Sequence, residues 1–231
     1  PIYWPYLAGT QVYTVDLESN KLGDSRLLLG LLGKCLQESK VHTIFLGDNE
    51  IEYYGAKAFF KKLRYSNVQE VDLKHNELGD EGVSKLAEYL PKTKLRKINL
   101  SRNEIGGSGT ARFSECLKNT DIQEVDLSDN ELGNEGVIEF GKHLKRTNVH
   151  TVNLESNRIG DQGVIGFAKN LRKTKIHTVY LYGNPIRNKG AKQFAAYLKG
   201  SQVHIVRLNG YRFIKDKTRS FLQEQHPDIN W

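Results

Sequence analysis

The stretch Val68-Gln69-Glu70-Val71-Asp72-Leu73-Lys74-His75-Asn76-Glu77-Leu78-Gly79-Asp80-Glu81-Gly82 decides the fold. Val68, Val71, Leu73 and Leu78 are apolar and point inward, while Asp72 falls between two of them on the opposite side, the period-two pattern of a short strand. Asn76 follows where the chain must turn, and its side chain is expected to satisfy backbone groups that a buried turn would otherwise orphan. The same residue recurs at Asn20, Asn49, Asn103, Asn130, Asn157 and Asn184, and from Asn49 onward the spacing is 27 residues without a slip. A fixed period of this length means stacked repeats rather than one closed core, and stacked repeats build extended concave surfaces.

Aligned on the asparagine, eight units begin at Val12, Val41, Val68, Leu95, Ile122, Val149, Ile176 and Val203. The second half of each reads as a helix. Val83, Leu86, Ala87 and Leu90 lie at i, i+3, i+4 and i+7, as do Val164, Phe167, Ala168 and Leu171, and Ala191, Phe194, Ala195 and Leu198. The first unit is two residues longer, but Leu29, Leu32, Gly33 and Leu36 keep the helical spacing, so the insertion belongs in the loop around Asp24 to Leu28. Glycine pairs in the loops (Gly79 and Gly82, Gly133 and Gly136, Gly160 and Gly163) are expected to permit a sharp turn into the helix.

Strand then helix, eight times, with L-x-L-x-x-N at the strand, resembles the leucine-rich repeat family. The 27-residue unit with a full helix is similar to its ribonuclease-inhibitor-like class. The resemblance covers Val12 to about Tyr211. It implies an α/β solenoid, a horseshoe with parallel strands on the concave face and helices on the convex face. For function it is permissive: the family hosts nuclease inhibitors, small-GTPase activators, innate sensors and secreted effectors.

Three regions are expected: an N-terminal cap at 1–11, in which Ile2, Tyr3, Trp4, Tyr6 and Leu7 offer an apolar lid; the solenoid at 12–211; and a C-terminal cap at 212–231 with a helix near Thr218 to Gln225. A start at Pro1 and the absence of methionine imply that the native start lies upstream. No apolar run approaches the roughly 18 residues that span a bilayer, and Leu27 to Leu32 reads as helix core. Cys35 and Cys116 occupy one helix position three units apart, too far for a disulfide, and two unpaired thiols favour a reducing compartment. The expected location is the cytoplasm, of the source cell or of a host cell entered by a secreted effector.

The net charge is +7. Lysines and arginines crowd the helix ends (Lys61, Lys62, Arg64; Lys142, Lys145, Arg146; Arg172, Lys173), where cations complement the helix dipole and cap free carbonyls. The strand face differs. Its outward positions, with the two just after each strand's last leucine, carry Asp16, Glu18, Asp48, Glu70, Asp72, Glu124, Asp126, Asp129 and Glu155 against Lys74, Lys97, Arg102 and Arg207. That balance disfavours nucleic acid, whose binding rests on cationic contacts, and favours a basic protein partner. Towards the C-terminus the column held by Asp72 and Asp126 becomes Tyr180 and then Arg207, and the column of Lys74 becomes Tyr182. These are expected to group near Tyr211, which replaces the ladder asparagine, and Phe45 occupies the same strand column near the other end. Tyr and Arg are the residues most enriched at interface hot spots. The competing reading is that Tyr180 and Tyr182 pack under the C-terminal cap.

His42, His150, His177 and His204 share the second position of their units and are expected to stack along one sheet edge. No carboxylate or cysteine completes a metal set with them, so no metal or cofactor is expected. No nucleophile or phosphate-binding signature is present. Gly106-Gly107-Ser108-Gly109-Thr110 lacks the P-loop lysine and is the fourth unit's copy of the Gly79–Gly82 turn. Pairs such as Asp126 and Asp129 belong to the repeated framework, not to a pocket that would shift their pKa values. The reading is a monomeric, non-enzymatic protein-binding module with no small-molecule substrate. The alternative is a regulator of another protein's catalysis.

Overall fold

The computed structural model describes residues 7–208 and 214–231. Eight strands, β1 (Thr14–Asp16), β2 (Thr43–Phe45), β3 (Glu70–Asp72), β4 (Lys97–Asn99), β5 (Glu124–Asp126), β6 (Thr151–Asn153), β7 (Thr178–Tyr180) and β8 (Ile205–Arg207), form one parallel sheet in chain order. The register is residue for residue, so Glu70, Lys97, Glu124 and Thr151 form one row across the sheet. The helices are α1 (Arg26–Cys35), α2 (Tyr53–Leu63), α3 (Gly79–Tyr89), α4 (Gly107–Leu117), α5 (Gly133–His143), α6 (Asp161–Leu171), α7 (Asn188–Leu198) and α8 (Asp216–Gln225). Neighbouring strands sit about 4.8 Å apart, whereas packed helices need about 8–10 Å. A stack of such units therefore bends with its strands on the inside.

The central strand residues Ile44, Val71, Ile98, Val125, Val152, Val179 and Val206 are buried against the inner helix faces. A column of large side chains ten residues past the ladder asparagine fills the middle: Phe59, Leu86, Phe113, Phe140, Phe167 and Phe194, all essentially inaccessible. The first unit closes less tightly. Val12 and Tyr13 are exposed and Val15 and Leu17 only half-buried. The N-terminal lid inferred from Ile2, Tyr3, Trp4 and Tyr6 lies outside the described residues, and Leu7 packs on the core.

The asparagines bind unit to unit. Asn130 Nδ2 donates to the carbonyls of Leu127 (3.0 Å) and Ser128 (3.1 Å) in its own turn and to Leu100 (3.0 Å) in the preceding unit. Its Oδ1 accepts from the backbone N–H groups of Asn103 (2.9 Å) and Ile105 (3.0 Å), also in the preceding unit. Six of the seven are buried in this way. Asn20 differs: it is exposed, and its side chain donates only to Glu18 O. The ladder thus begins at Asn49, because an asparagine needs a preceding unit to hold.

A second inter-unit device was not anticipated. Most helices have no side-chain cap of their own, and an Asp or Asn four residues past the previous unit's ladder asparagine supplies it. Asp80 Oδ1 accepts from Gly106 N (2.7 Å) at the start of α4, and Asp80 Oδ2 from Ser108 Oγ. Asn134 accepts from Gly160 N (2.8 Å) and Gly163 N (3.0 Å) at α6. Asp24 serves α2, Asp161 serves α7 and Asn188 serves α8. This crossing explains some of the loop glycines. A Cβ on Gly109 would lie 2.5 Å from Asp80 Oδ1, and one on Gly163 equally close to Asn134 Oδ1. These positions leave room for the incoming cap, whereas Gly79 (φ +53°) and Gly133 (φ +61°) make the turn. Units carrying a turn glycine alternate with units in which Glu50, Glu104 or Arg158, just after the asparagine, takes the left-handed conformation instead.

The C-terminal cap helix is α8, and beyond it Asn230 closes the sheet edge. Val206 N donates to Asn230 O (2.7 Å), and Asn230 N to His204 O (2.8 Å). One expectation fails. Leu27 is 74% exposed and Leu31 45%, so the Leu27–Leu32 run is only partly core. Leu29 and Leu32 take the inner face of α1, and the other ridge turns outward.

Replacing Asn130 by Ala leaves several buried backbone groups without partners, each costing about 1–3 kcal/mol. Denaturant unfolding should show a loss of about 3 kcal/mol or more, and Asn20→Ala well under about 1 kcal/mol. Asp80→Ala should cost about 1 kcal/mol, the usual value of an N-cap, though the helix it destabilises belongs to the next unit.

Candidate functional site

The outward row Glu70, Lys97, Glu124 is an alternating charge set. Lys97 Nζ lies 2.9 Å from Glu70 Oε1 and 4.0 Å from Glu124 Oε2. Its hydrogen bond to Glu70 raises the lysine pKa above its ordinary value. Lys74 reaches back to Glu18 (2.8 Å), and Arg102 pairs with Asp129 (3.5 Å). Such half-exposed pairs contribute little to stability, but they occupy acids that the sequence left open.

Asp72 and Asp126 are tied down further. Asp72 Oδ1 accepts from Lys74 N (2.8 Å) and its Oδ2 from Asn99 Nδ2 (3.0 Å). Asp126 accepts from Ser128 N (2.8 Å), Ser128 Oγ (2.6 Å) and Asn153 Nδ2 (3.0 Å). Both carboxylates therefore shape the turn after their strand as well as presenting charge. Among the described residues Glu155 makes no side-chain bond, and burial, with Asp126 and Asp129 beside it, holds its pKa above the usual carboxylate range.

A larger acidic feature lies just past the strands. The residues flanking each buried asparagine form a trough of about 680 Å³, lined by six carboxylates against the guanidiniums of Arg102 and Arg158. Asp48, His75, Arg102, Asp129 and Ser156 precede their asparagines with φ near +55°, and Glu50 and Glu104 follow theirs in the same conformation. The ladder over-determines this backbone, as strained positions require, and throws both neighbours outward. Asp48 pairs with His75 and Glu131 with Arg158. Among the described residues Glu50, Glu77 and Glu104 form no side-chain bond and stand as a column of exposed acids in successive units. Sequence reasoning missed them because it read the loops as framework. The signal was present at the position one past each asparagine.

At the C-terminal end Tyr180 and Arg207 are register partners, as expected. Tyr180 is half-buried and Tyr182 is 51% exposed, so the C-terminal cap leaves Tyr182 uncovered. Arg207 donates through Nη1 to Asn230 Oδ1 (3.1 Å), which ties this anchor to the cap segment. Tyr211 lies outside the described residues. Phe45 is half-buried between Asp16 and Asp72 in the strand row.

His150, His177 and His204, in consecutive units, form the expected stack, while His42 lies apart with its ring 5.7 Å from that of Tyr13. His150 and His177 lie 4.7 Å apart at 12°, and His177 and His204 5.1 Å apart at 31°. Nδ1 of His150 and of His177 each lies 3.1 Å from the hydroxyl of the next threonine. Among the described residues no group of three or more His, Cys, Asp or Glu side chains has metal-holding geometry. Cys35 and Cys116 are free, and burial raises both thiol pKa values, which makes them poorer nucleophiles. Burial, then His150 and His204, holds the His177 pKa below the ordinary histidine value. The unfolded chain then binds the proton more readily than the folded one, so stability is lost as pH falls through the unfolded value of about 6.5. Thermal unfolding followed from pH 7 to about pH 5 should drop further for the native chain than for His177→Gln, which installs the residue that units three and five carry here.

No helix among the described residues is long and apolar enough to cross a membrane. No curated protein matches the chain in sequence. Among solved structures, one similar in fold is described as "Leiomodin-1 Actin-Binding Site 2 (ABS2)". It is 16% identical with a TM-score of 0.54, over 64% of this chain and 89% of that one. At that identity the likeness is one of fold. The family described as Leucine Rich repeat matches residues 66–87, 92–111, 118–141 and 145–168. These segments fall on the central units, where strand, buried asparagine and helix recur at 27 residues. With eight parallel strands each returned by a helix, the chain is a leucine-rich repeat solenoid, with repeats of the ribonuclease-inhibitor-like class.

Proposed function

We propose that this chain is a non-enzymatic module that binds a basic, folded protein on its strand face and the acidic trough beside it. Repeats of this family are typically protein-binding and generally non-catalytic, which supports the class of function. The observation that carries the finer reading is the surplus of carboxylates left after internal pairing. Each base of the strand face is already engaged, whereas Glu50, Glu77 and Glu104 are exposed and unbonded among the described residues. A field of one sign along a concave wall steers an oppositely charged partner and fixes its register. Tyr182, with Tyr180 and Arg207 beside it, supplies the aromatic anchor, and Phe45, Glu70, Lys74, Arg102 and Glu124 complete the contact surface. Eight strands at about 4.8 Å give a face on the order of 34 Å long, which accommodates a standard interface of roughly 800 Å² per partner. In this reading residues 12–211 are the binding solenoid, 1–11 and 212–231 its covers, and the chain acts as a cytoplasmic monomer.

The test uses two baits in a lysate pull-down read by mass spectrometry. Asp72 and Asp126 are poor targets, because their removal also loosens the turns they hold. The control bait therefore carries Glu50→Lys, Glu77→Lys, Glu104→Lys and Tyr182→Ala, all exposed positions, with folding checked by circular dichroism. A basic protein held by the native chain, weakened by salt and lost by the control, is the expected result. Capture of the same proteins by both baits would remove the strand face and trough from the binding site.

A further inference from the structure

The convex face is uneven. Helices α3, α4 and α5 each carry a carboxylate three residues from a cation and pair them: Lys85 with Glu88, Arg112 with Glu115 and Lys142 with Glu139. Helices α1 and α2 contain no acidic residue. Their cations Arg26, Lys34, Lys57, Lys61 and Lys62 form no ion pair among the described residues. Beside them Leu27 (74%), Leu31 (45%) and Tyr54 (48%) are exposed. Helix α7 also lacks acids but exposes no leucine.

These side chains form one ledge. Small residues let the two helices approach closely: a Cβ on Gly30 would lie 3.7 Å from Ala58 Cβ, and one on Gly33 only 2.8 Å from Phe59 O. Gln37 Nε2 donates across the pair to Lys62 O (2.8 Å). The Arg26 guanidinium sits 3.7 Å over the Tyr54 ring, and Lys57 Nζ lies 5.6 Å from the Tyr53 ring centre. The apolar ridge of α1 is thereby joined to an aromatic and cationic ridge of α2.

We propose that the outer face of α1 and α2 docks on an anionic membrane surface, with Leu27, Leu31 and Tyr54 entering the headgroup layer and the cations meeting lipid phosphates and carboxylates. Leucine with lysine on one exposed helical face is the composition of interfacial binding, in which apolar burial adds to attraction by acidic lipid. Tyrosine suits the boundary because one end of its ring is apolar and the other wet, and lysine stems lie along apolar surface while their charge stays in water. Protein interfaces are depleted in lysine, and leucine is under-represented at their hot spots. Nucleic acid would use the cations and leave the leucines unused. The ledge lies on the opposite side of the solenoid from the strand face, so docking leaves the proposed protein-binding surface pointing away from the bilayer.

Vesicle flotation tests this with the whole chain. Vesicles of phosphatidylcholine with about 30% phosphatidylserine should carry the protein, and pure phosphatidylcholine vesicles should not, with binding falling as salt rises. Leu27→Glu with Leu31→Glu, and separately Lys57→Glu with Lys61→Glu, should each weaken vesicle binding about tenfold or more. All four positions are at or near the surface, so thermal unfolding should be unchanged. Lys142→Glu, the same charge change on α5, should bind vesicles as the native chain does. The proposal is overturned if anionic vesicles do not carry the native chain, if neutral vesicles carry it equally, or if the leucine variant floats as well as the native chain. It is likewise overturned if single-stranded RNA binds and strips the protein from vesicles with dependence on the lysines alone. That outcome would make the ledge a polyanion site.

Discussion

A buried asparagine that bonds to the unit before it is the constraint on which the rest depends. Each side chain faces carbonyls and N–H groups that no strand or helix can use, because the chain leaves the sheet there and has not yet entered the helix. Burying that turn without the amide would orphan several backbone groups at once. Satisfying it fixes both the spacing of adjacent units and the left-handed backbone beside the asparagine. Sheet register, the buried phenylalanine column and the outward throw of the trough acids all follow from the same bonds. Function is thus built on the stability element: Glu50 and Glu104 are displayed because Asn49 and Asn103 are held.

Charge is divided between the faces of the solenoid rather than averaged over it. The strand side and its trough carry an acid surplus, while the helix side carries the excess cations of a chain whose total is +7. Net charge alone would point to nucleic acid. Position points instead to a basic protein on one side and, at α1 and α2, an anionic surface on the other. The two readings are independent, because they use different elements, different side chains and opposite signs of potential.

The fold was legible because its determinants are local and repeated. Asn76, Val71, Leu73 and Leu86 mean the same thing in every unit, so one correct alignment places the whole chain. What escaped was non-local. Asp80 caps α4 in the following unit, a relation that spacing within one unit does not reveal. Gly109 and Gly163 then look like turn residues until the incoming carboxylate or amide is seen. Leu27 and Leu31 looked like core because α1 carries apolar residues on both ridges, so hydrophobicity does not say which ridge faces in. The strand-face acids were legible as positions, but their ion pairs with Lys74 and Lys97 depend on rotamers across neighbouring units. Tyr182 was legible as a candidate, but whether the C-terminal cap covers it was not, and the tie between Arg207 and Asn230 likewise required the tail's return to the sheet edge.

The alternation between turn-glycine units and left-handed-glutamate units sets a modulus for rearranging the chain. A helix start and the side chain that caps it are encoded in different repeats, and in the first five units the capping residue (Asp24, Asp80 or Asn134) always sits in an odd-numbered one. Excising one unit would join two of the same kind: loss of an odd unit leaves the next helix without its cap, and loss of an even one leaves a cap without its helix. Excising two in tandem would restore every neighbour. The smallest interchangeable piece of the central solenoid is therefore a pair of repeats, and recombination or duplication in such doublets preserves the architecture where single-repeat events would not.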